Sequence, residues 1–495
     1  MIAKYSFNFK VITVLFLVLF LSPLLLLAAP VEIVTNTNDA GAGSLRQAIA
    51  DVDPGGEIIF GLPGAGPHII VIASPLEIDK SLTITGSGAD LLTINSAGAG
   101  LQGIIVSDML VTQQHVVISG LTLDGGMSNI SGILNRENLT LNNVVITGAQ
   151  DGITNSGQFA VGAVLTMNNS KLTGNSQSGI FVFGGLEPSA PGGHVTINDS
   201  VISNNDSFGI FNFTPQHEFA QGSKIIVNRT TISGNEFGIL NNGGNGARGT
   251  IGSITEVYNS TITESFGIMG LGNGNGLFNS GGNADGATGG KVIVRNSTIS
   301  DNDGVGITVG PGQVPGATAS ITQISSTTVS GNVSALVYLP GGSDIPVVEV
   351  KNSIFANSTN MFPLNCTPDT ATLTSLGVNI STDSTCAGFI AVTPGELNLG
   401  LLQNNGGPTE TQALIPPSAA IDVVTDCTFI NGDPVLEDQR GFVRPPNNCD
   451  AGAYEFGARP FAVNVPTLSK WGIILTAMLL GIVALFFYKR NRKLA

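Results

Sequence analysis

The sequence predicts an all-β chain wound as a right-handed parallel β-helix, a solenoid with a short N-terminal capping helix and a C-terminal transmembrane helix. Three observations carry that expectation. A pattern recurs along the chain: "MNNSKLTGNSQSGI" from Met167, "INDSVISNNDSFGI" from Ile197, "VNRTTISGNEFGI" from Val227 and "VRNSTISDNDGVGI" from Val294. Apolar residues within each copy fall at a spacing of two, the period of a strand. Only 11% of the 495 residues are charged while glycine numbers 65, which suits short strands joined by turns. The apolar fraction of 42% argues against disorder.

The chain starts with a secretory signature. Lys4 and Lys10 precede an apolar run from Val11 to Leu27, and Ala28, Ala29 and Pro30 follow. A basic start, an apolar stretch and a small-residue exit read as a signal peptide over residues 1–29. An uncleaved membrane anchor is the alternative. Residues 30–115 then hold the cap and the first coils. Within "GSLRQAIAD" (Gly43–Asp51), Ser44 and Gln47 have capping-box spacing, and Leu45, Ala48 and Ile49 make one apolar face. We expect a short helix that lids the first coil and blocks its open edge. "TNTNDAGAGSLRQAI" resembles the N-terminal segment of many exported bacterial β-helix proteins. Their pattern often has a Cys before Ser-Leu-Arg; Gly43 stands there in this chain, so no disulfide forms at it.

Residues 116–360 carry the repeats. Aligned on the residue equivalent to Ser297, the copies place Leu121, Val144, Ser170, Ser200, Thr230, Ser260, Ser297, Thr327 and Ser353 in one position. Three residues earlier, every copy is apolar (Ile118, Leu141, Met167, Ile197, Val227, Val257, Val294, Ile324, Val350). Two residues later, every copy is apolar again (Leu123, Ile146, Leu172, Ile202, Ile232, Ile262, Ile299, Val329, Phe355). Each copy thus holds three strands, in one case Val292–Val294, Ser297–Ser300 and Val305–Val309, separated by turns rich in Asn, Asp and Gly. So small a unit cannot close its own core; stacked units bury a shared one. Propeller blades need four strands and leucine-rich repeats a Leu frame, so neither fits. Right-handedness is not read from the residues; it is what the resemblance to β-helix proteins implies, together with the chirality preference of parallel crossovers.

Asn175, Asn205, Asn235, Asn302 and Asn332 share one position, five after the anchor. They read as an amide ladder whose members also tolerate left-handed backbone at a turn. The glycosylation-like triplets at Asn198 and Asn296 read as by-products of the repeat. The insertion Gly270–Gly290 is expected to form a loop, and loops on a rigid scaffold are where binding resides. Phe208, Phe211 and Phe213 are read as stacks in the core.

Residues 361–460 hold the C-terminal coils and all four cysteines. Cys366, Cys386, Cys427 and Cys449 allow three pairings, and the sequence neighbours Cys366–Cys386 and Cys427–Cys449 are expected in an oxidising compartment. Zinc is disfavoured without Cys-x-x-Cys spacing. "LNLGLLQNNGGPTETQALIPPSAAID", "EDQRGFVRP" and "CDAGAYEF" resemble the choice-of-anchor Q domain of β-helix surface proteins. Asp438, Arg440, Asp450 and Glu455 in these stretches are read as a structural ion-pair network, with a cation site as the alternative.

Residues 461–495 end the chain. Trp471 to Tyr488 carries no charge. As a helix it would span about 27 Å, enough for a thin bilayer, with Lys489, Arg490, Arg492 and Lys493 on the cytoplasmic side. "VPTLSKWG", namely Val465, Pro466, Thr467, Leu468, Ser469, Lys470, Trp471 and Gly472, resembles the IPTL-CTERM sorting signal. Val465 replaces the usual Ile and Lys470 the usual Glu. The resemblance implies a Gram-negative bacterium and an exosortase-type processing enzyme as partner. A plain tail anchor is the alternative.

All 35 acidic residues lie in residues 31–460, against 13 of the 20 basic ones, a net charge of −22. Such a surface repels nucleic acid. No catalytic or metal-ligating residue is assigned. Asp206, Glu236 and Asp303 share a column, and Asp206 and Glu236 one coil apart would meet the spacing of a glycosidase pair. They are read instead as solvated turn residues, since nothing there raises one pKa. His68, His115, His194 and His217 follow no metal or triad spacing. "DNDG" at Asp301–Gly304 lacks the rest of a calcium loop. No cofactor is expected, with Ca²⁺ the lesser alternative. The functional expectation is an exported cell-surface protein, structural or adhesive, facing an extracellular polysaccharide or another surface protein. The alternative is a polysaccharide-acting lyase or hydrolase on the same scaffold.

Overall fold

A computed structural model describes residues 30–460, apart from 99, 101, 108–112, 157–161, 215–216, 268–273, 360–363 and 368–371. The signal peptide and the sorting segment with its apolar run lie outside the described residues. Among those described, no helix is long and apolar enough to cross a membrane.

The chain forms a parallel β-solenoid. Its first sheet has 13 strands in sequence order, each paired in parallel with the equivalent strand of the coils before and after. Two further columns of strands complete each coil, a short one after the first corner and a longer one before the returning loop. In the coil containing Ser297 the three strands are Lys291–Arg295, Thr298–Ser300 and Val305–Val309. Near the start, Thr122–Asn135 and Val145–Asn155 run through the second corner and join the second and third sheets.

The repeat columns become the core. Leu123, Ile146, Leu172, Ile202, Ile232, Ile262, Ile299, Val329 and Phe355 pair directly, each with the next. All nine are fully buried. Each such residue contributes about 1.5–3 kcal/mol by leaving water. The third sheet adds a column from Ile153 through Ile180, Ile210, Ile239, Leu277 and Ile307 to Leu336.

The corners explain the anchor position. The residue before the anchor is left-handed in every copy: Gly120, Asn143, Asn169, Asp199, Arg229, Asn259, Asn296, Ser326 and Asn352. The residue four after the anchor is left-handed from Gly148 through Asn357. Anchor hydroxyls serve the first corner. Ser200 Oγ accepts from Ser170 N of the coil before at 3.1 Å and donates to Asn198 O at 2.7 Å. Thr230, Ser260 and Ser297 repeat this arrangement. Asparagines serve the second corner. Asn205 Oδ1 accepts from both Asn175 N and Asn175 Nδ2, and Asn205 donates likewise to Asn235. Ser265 interrupts the ladder and donates its backbone N–H to Asn302 Oδ1. The ladder therefore forms as expected, but its members are not the left-handed residues. Those lie one position earlier, where Gly or a short polar side chain bears the positive φ.

At the N-terminus, α1 (Leu45–Asp51) buries Leu45, Ala48 and Ile49 against the first coils. Only half of the expected capping box forms. Ser44 Oγ accepts from Gln47 N, but the Gln47 side chain turns forward to Asp51. Arg46 fastens α1 to the second turn through Ser74 O and Pro75 O, and pairs with Asp39 in the loop before the helix. Gly43 is left-handed, and a Cβ there would lie 2.3 Å from Thr35 Oγ1, so this sequence has no room for another residue.

Ile232→Ala removes a rung of the innermost column and is expected to cost about 2–5 kcal/mol in urea unfolding. Asn205→Ala strands buried partners on two coils and should cost about 1–3 kcal/mol. Equal midpoints for wild type and Asn205→Ala would show that the ladder is not needed.

Candidate functional site

The solenoid presents three outer faces, and the sequence makes them different. The first sheet points Thr140, Thr166 and Thr196 outward, half-buried between the inward residues. The second sheet is open at Lys171, Val201 and Thr231, and then disappears under the C-terminal segment. Thr261, Thr298, Thr328 and Ile354 continue the same register and are buried.

The covering segment follows α2 (Pro394–Leu397) and runs back along the coils as a clasp. Gln439 donates to Thr261 Oγ1 and accepts from Thr298 Oγ1, at 2.9 and 2.7 Å. Lys351 reaches Asp426, and Asn352 donates to Asp426 O, both at 2.8 Å. Gly452 fits over Thr328 and Ile354 where a Cβ would lie 2.7 Å from the Thr328 hydroxyl. The structure joins Cys427 to Cys449 inside this segment, and Cys366 to Cys386 in the last coils.

Asp438, Arg440, Asp450 and Glu455 meet in the clasp as a structural network. Arg440 donates to Asp438 and lies over the rings of Tyr454 and Phe442, 3.7 and 4.4 Å from their centroids. Arg444, which the sequence reading passed over, pairs with Glu455 Oε2 at 2.9 Å and also donates to Asp450 O. Asp438 accepts backbone N–H groups of Arg440, Phe442 and Glu455; Asp450 accepts those of Asp422 and Phe456. Burial pushes the Glu455 carboxyl up to about 7, against the opposing pull of Arg444. Burial also raises Asp450.

The third sheet is different again. Phe181, Phe183, Phe208, Phe211, Phe213 and Phe237 are half-buried and point outward, while Ile180, Ile210, Asn212 and Ile239 point in. This corrects the expectation that Phe208, Phe211 and Phe213 fill the core. In "FGIFNF" the face with Phe211 and Phe213 is more apolar than the face with Ile210 and Asn212, so hydrophobicity alone turns the wrong face inward. The rings pack on one another, with Phe181–Phe211 centroids 4.9 Å apart and Phe208–Phe237 5.3 Å apart. Such pairs contribute about 0.5–1.5 kcal/mol each. Behind the rings lies a second amide ladder that the sequence reading missed: Asn212 donates to Asn241 at 3.1 Å and Asn241 to Asn279 at 2.9 Å. Its signal is the recurring pair Phe211-Asn212, Leu240-Asn241, Phe278-Asn279.

Register carries the aromatic face onward. Phe181 pairs with Phe211, Phe211 with Leu240, and Leu240 with Phe278. The expected loop Gly270–Gly290 is thus not one loop, because Leu277–Asn279 is a third-sheet strand. The returning loops after it stack as coils do: Asn283 N donates to Gly244 O, and Gln313 N to Gly282 O. Gly281 permits this; a Cβ there would fall 1.9 Å from Pro311 O. Between the loops runs a groove of about 330 Å³ lined by Asn242, Asn245, Phe278, Ser280, Asn283 and Gln313, among others.

The remaining candidate residues stay apart from this surface. Asp206 and Asp303 are exposed at turns. Glu236 accepts from Ser207 Oγ at 3.3 Å. Asp301 occupies a left-handed corner. Among the described residues, no three His, Cys, Asp or Glu side chains are grouped to hold a metal. Asn198 and Asn296 donate their amides to Asn168 and Asn259, within an outer ladder.

The C-terminal end of the sequence decides one further point. Residues 465–492 match the IPTL-CTERM motif. That match contains Val465, Pro466, Thr467, Leu468, Ser469, Trp471 and Gly472, and it marks an exported chain sorted through its C-terminus, which implies an exosortase-type enzyme. The choice-of-anchor Q resemblance has no such match. Among curated proteins nothing matches the sequence. Solved structures with a similar chain path include pectate lyase Pel9A (15% identity, TM-score 0.42, 86% of this chain and 97% of that one). Another is the Azotobacter vinelandii mannuronan C-5 epimerase AlgE6 A-module (13%, TM-score 0.44, 71% and 100%). A third is the PL6 family alginate lyase AlyGC (13%, TM-score 0.41, 76% and 55%). At these values the similarity transfers no activity to this chain.

The clasp is expected to respond to pH. A carboxyl whose pKa rises on folding from 4.5 to about 7 favours the folded state below 4.5 and loses that contribution as pH rises toward 7. Protease cleavage within residues 394–460 should therefore be faster at pH 8 than at pH 5. Glu455→Gln should flatten that difference; an unchanged pH dependence in Glu455→Gln would assign it to another group.

Proposed function

We propose that this chain is an exported envelope protein, structural or adhesive, that holds a stiff solenoid outside the cell and meets its partner with the aromatic third face. The observation that carries this reading is the outward row of phenylalanines held in coil register, in a sequence that also contains a C-terminal sorting motif. A rigid scaffold supports it, since a pre-ordered surface loses little freedom on binding. The acidic surface supports a partner other than nucleic acid. Residues 471–488 would act as the membrane helix until an exosortase-type enzyme processes the chain, which is then retained on the surface or released.

Mass spectrometry of the envelope fraction is expected to find a mature C-terminus upstream of the apolar run. Surface protein that still carries the peptide beyond Gly472 would rule out processing at the motif. Incubation with pectin, alginate or glycosaminoglycan is expected to leave the polymers at full length. Shortened products that vanish in the Asp206→Asn, Glu236→Gln double variant would instead make the chain a polysaccharide-acting enzyme.

A further inference from the structure

We propose that the groove beside Phe278 binds a neutral glycan chain, an inference that rests on the adhesive reading and names its ligand class. Three observations converge on it. The first is the floor. Phe278 is half-buried and points outward, and among the described residues its ring contacts no other aromatic ring, unlike the six phenylalanines earlier on the same face. A phenyl ring lining the groove can pack against the axial C–H groups of a pyranose.

The second is the wall. Asn242, Asn245, Asn283, Gln313 and Ser280 line it with amides and a hydroxyl, groups that both donate and accept, as sugar hydroxyls require; Ser280 already accepts from Gly243 N and donates to Asn242 Oδ1, and Gln313 donates to Pro311 O. Asn283 Nδ2 donates to Asn245 Oδ1 at 3.0 Å. That bond fixes the two amides side by side and leaves the Asn245 nitrogen and the Asn283 oxygen, one donor and one acceptor, for a pair of neighbouring hydroxyls. Glycines 243, 281 and 310 let the stacked loops that form the groove approach closely; a Cβ at Gly243 would fall 2.4 Å from Gly281 O.

The third is charge. No Asp, Glu, Lys, Arg or His lines the groove. A uronate or phosphate would enter without a counter-charge, under the repulsion of a domain with net charge −22. The volume of about 330 Å³ lies within the range of small-molecule sites. The register of Phe181, Phe211, Leu240 and Phe278 continues the apolar floor along the axis at about 4.8 Å per coil, which favours a chain of sugar units over a single one.

The test uses the full-length chain in a detergent without a sugar headgroup. Binding to neutral oligosaccharides (glucans, xylans, mannans, galactans) is compared with polygalacturonate and alginate fragments by calorimetry. Wild type is expected to bind at least one neutral series. Phe278→Leu, which keeps the apolar volume but removes the ring face, should weaken it roughly tenfold or more. The exposed pair Asn245→Ala, Asn283→Ala should do the same without touching the core, and it keeps the test decisive should the Phe278 variant misfold. Thr196→Ala on the first face should leave affinity unchanged. Binding of acidic fragments alone, binding of none, or wild-type affinity in both groove variants would overturn the proposal. A wild-type chain found on the envelope that binds no neutral glycan refutes the groove alone; a wild-type chain absent from the envelope refutes the surface reading, whatever it binds.

Discussion

At each coil the backbone turns twice in quick succession, and the amides at those turns must find partners on the neighbouring coil. The whole solenoid depends on that requirement, because a buried N–H without a partner costs about 1–3 kcal/mol and the deficit would recur at every rung. Two side-chain ladders meet it. Ser or Thr hydroxyls cap the first corner from the coil above, and Asn carboxamides bridge the second. Each is small enough to sit inside a corner, and each bonds to its own coil as well as to its neighbour. The aliphatic columns supply the larger free energy, but they are non-directional. The ladders decide which coil faces which, and so hold the Phe and Ile columns in register.

That register is what differentiates the faces. One face carries threonines, one is sealed by the clasp, and one carries rings that end at a groove of stacked loops. Sealing the second face with Gln439 and the buried Arg440 and Arg444 pairs removes the surface that would otherwise continue from Val201 and Thr231. The pairs are costly to bury singly and effective only together, since each carboxylate also accepts backbone N–H groups.

Much of this was legible in the sequence where a period was clean. The columns three before and two after the anchor contain no polar exception, so strands, stacking and core followed directly. The Asn ladder was legible because its offset from the anchor never shifts. Direction was illegible where the inward face carries a polar residue, as Asn212 does behind Phe211 and Phe213. The second amide ladder was hidden because the residues inserted before Leu277 move Asn279 out of frame with Asn241. The clasp was recognisable as a motif, but nothing local says that Gln439 meets Thr261, 178 positions away. Arg444 was missed for the same reason: its partner Glu455 has no periodic relation to it.

The clasp also fixes where the chain leaves. Pro460 pairs with Phe442, beside residues that bind the coils of Asn259 and Asn296, well before the terminal rungs. Whatever holds the protein beyond that residue grips it at the waist, and the two ends project like the arms of a balance. Drag on either arm acts as torque at the pivot, where Thr409, Gln439 and Asp426 tie the clasp to the coils.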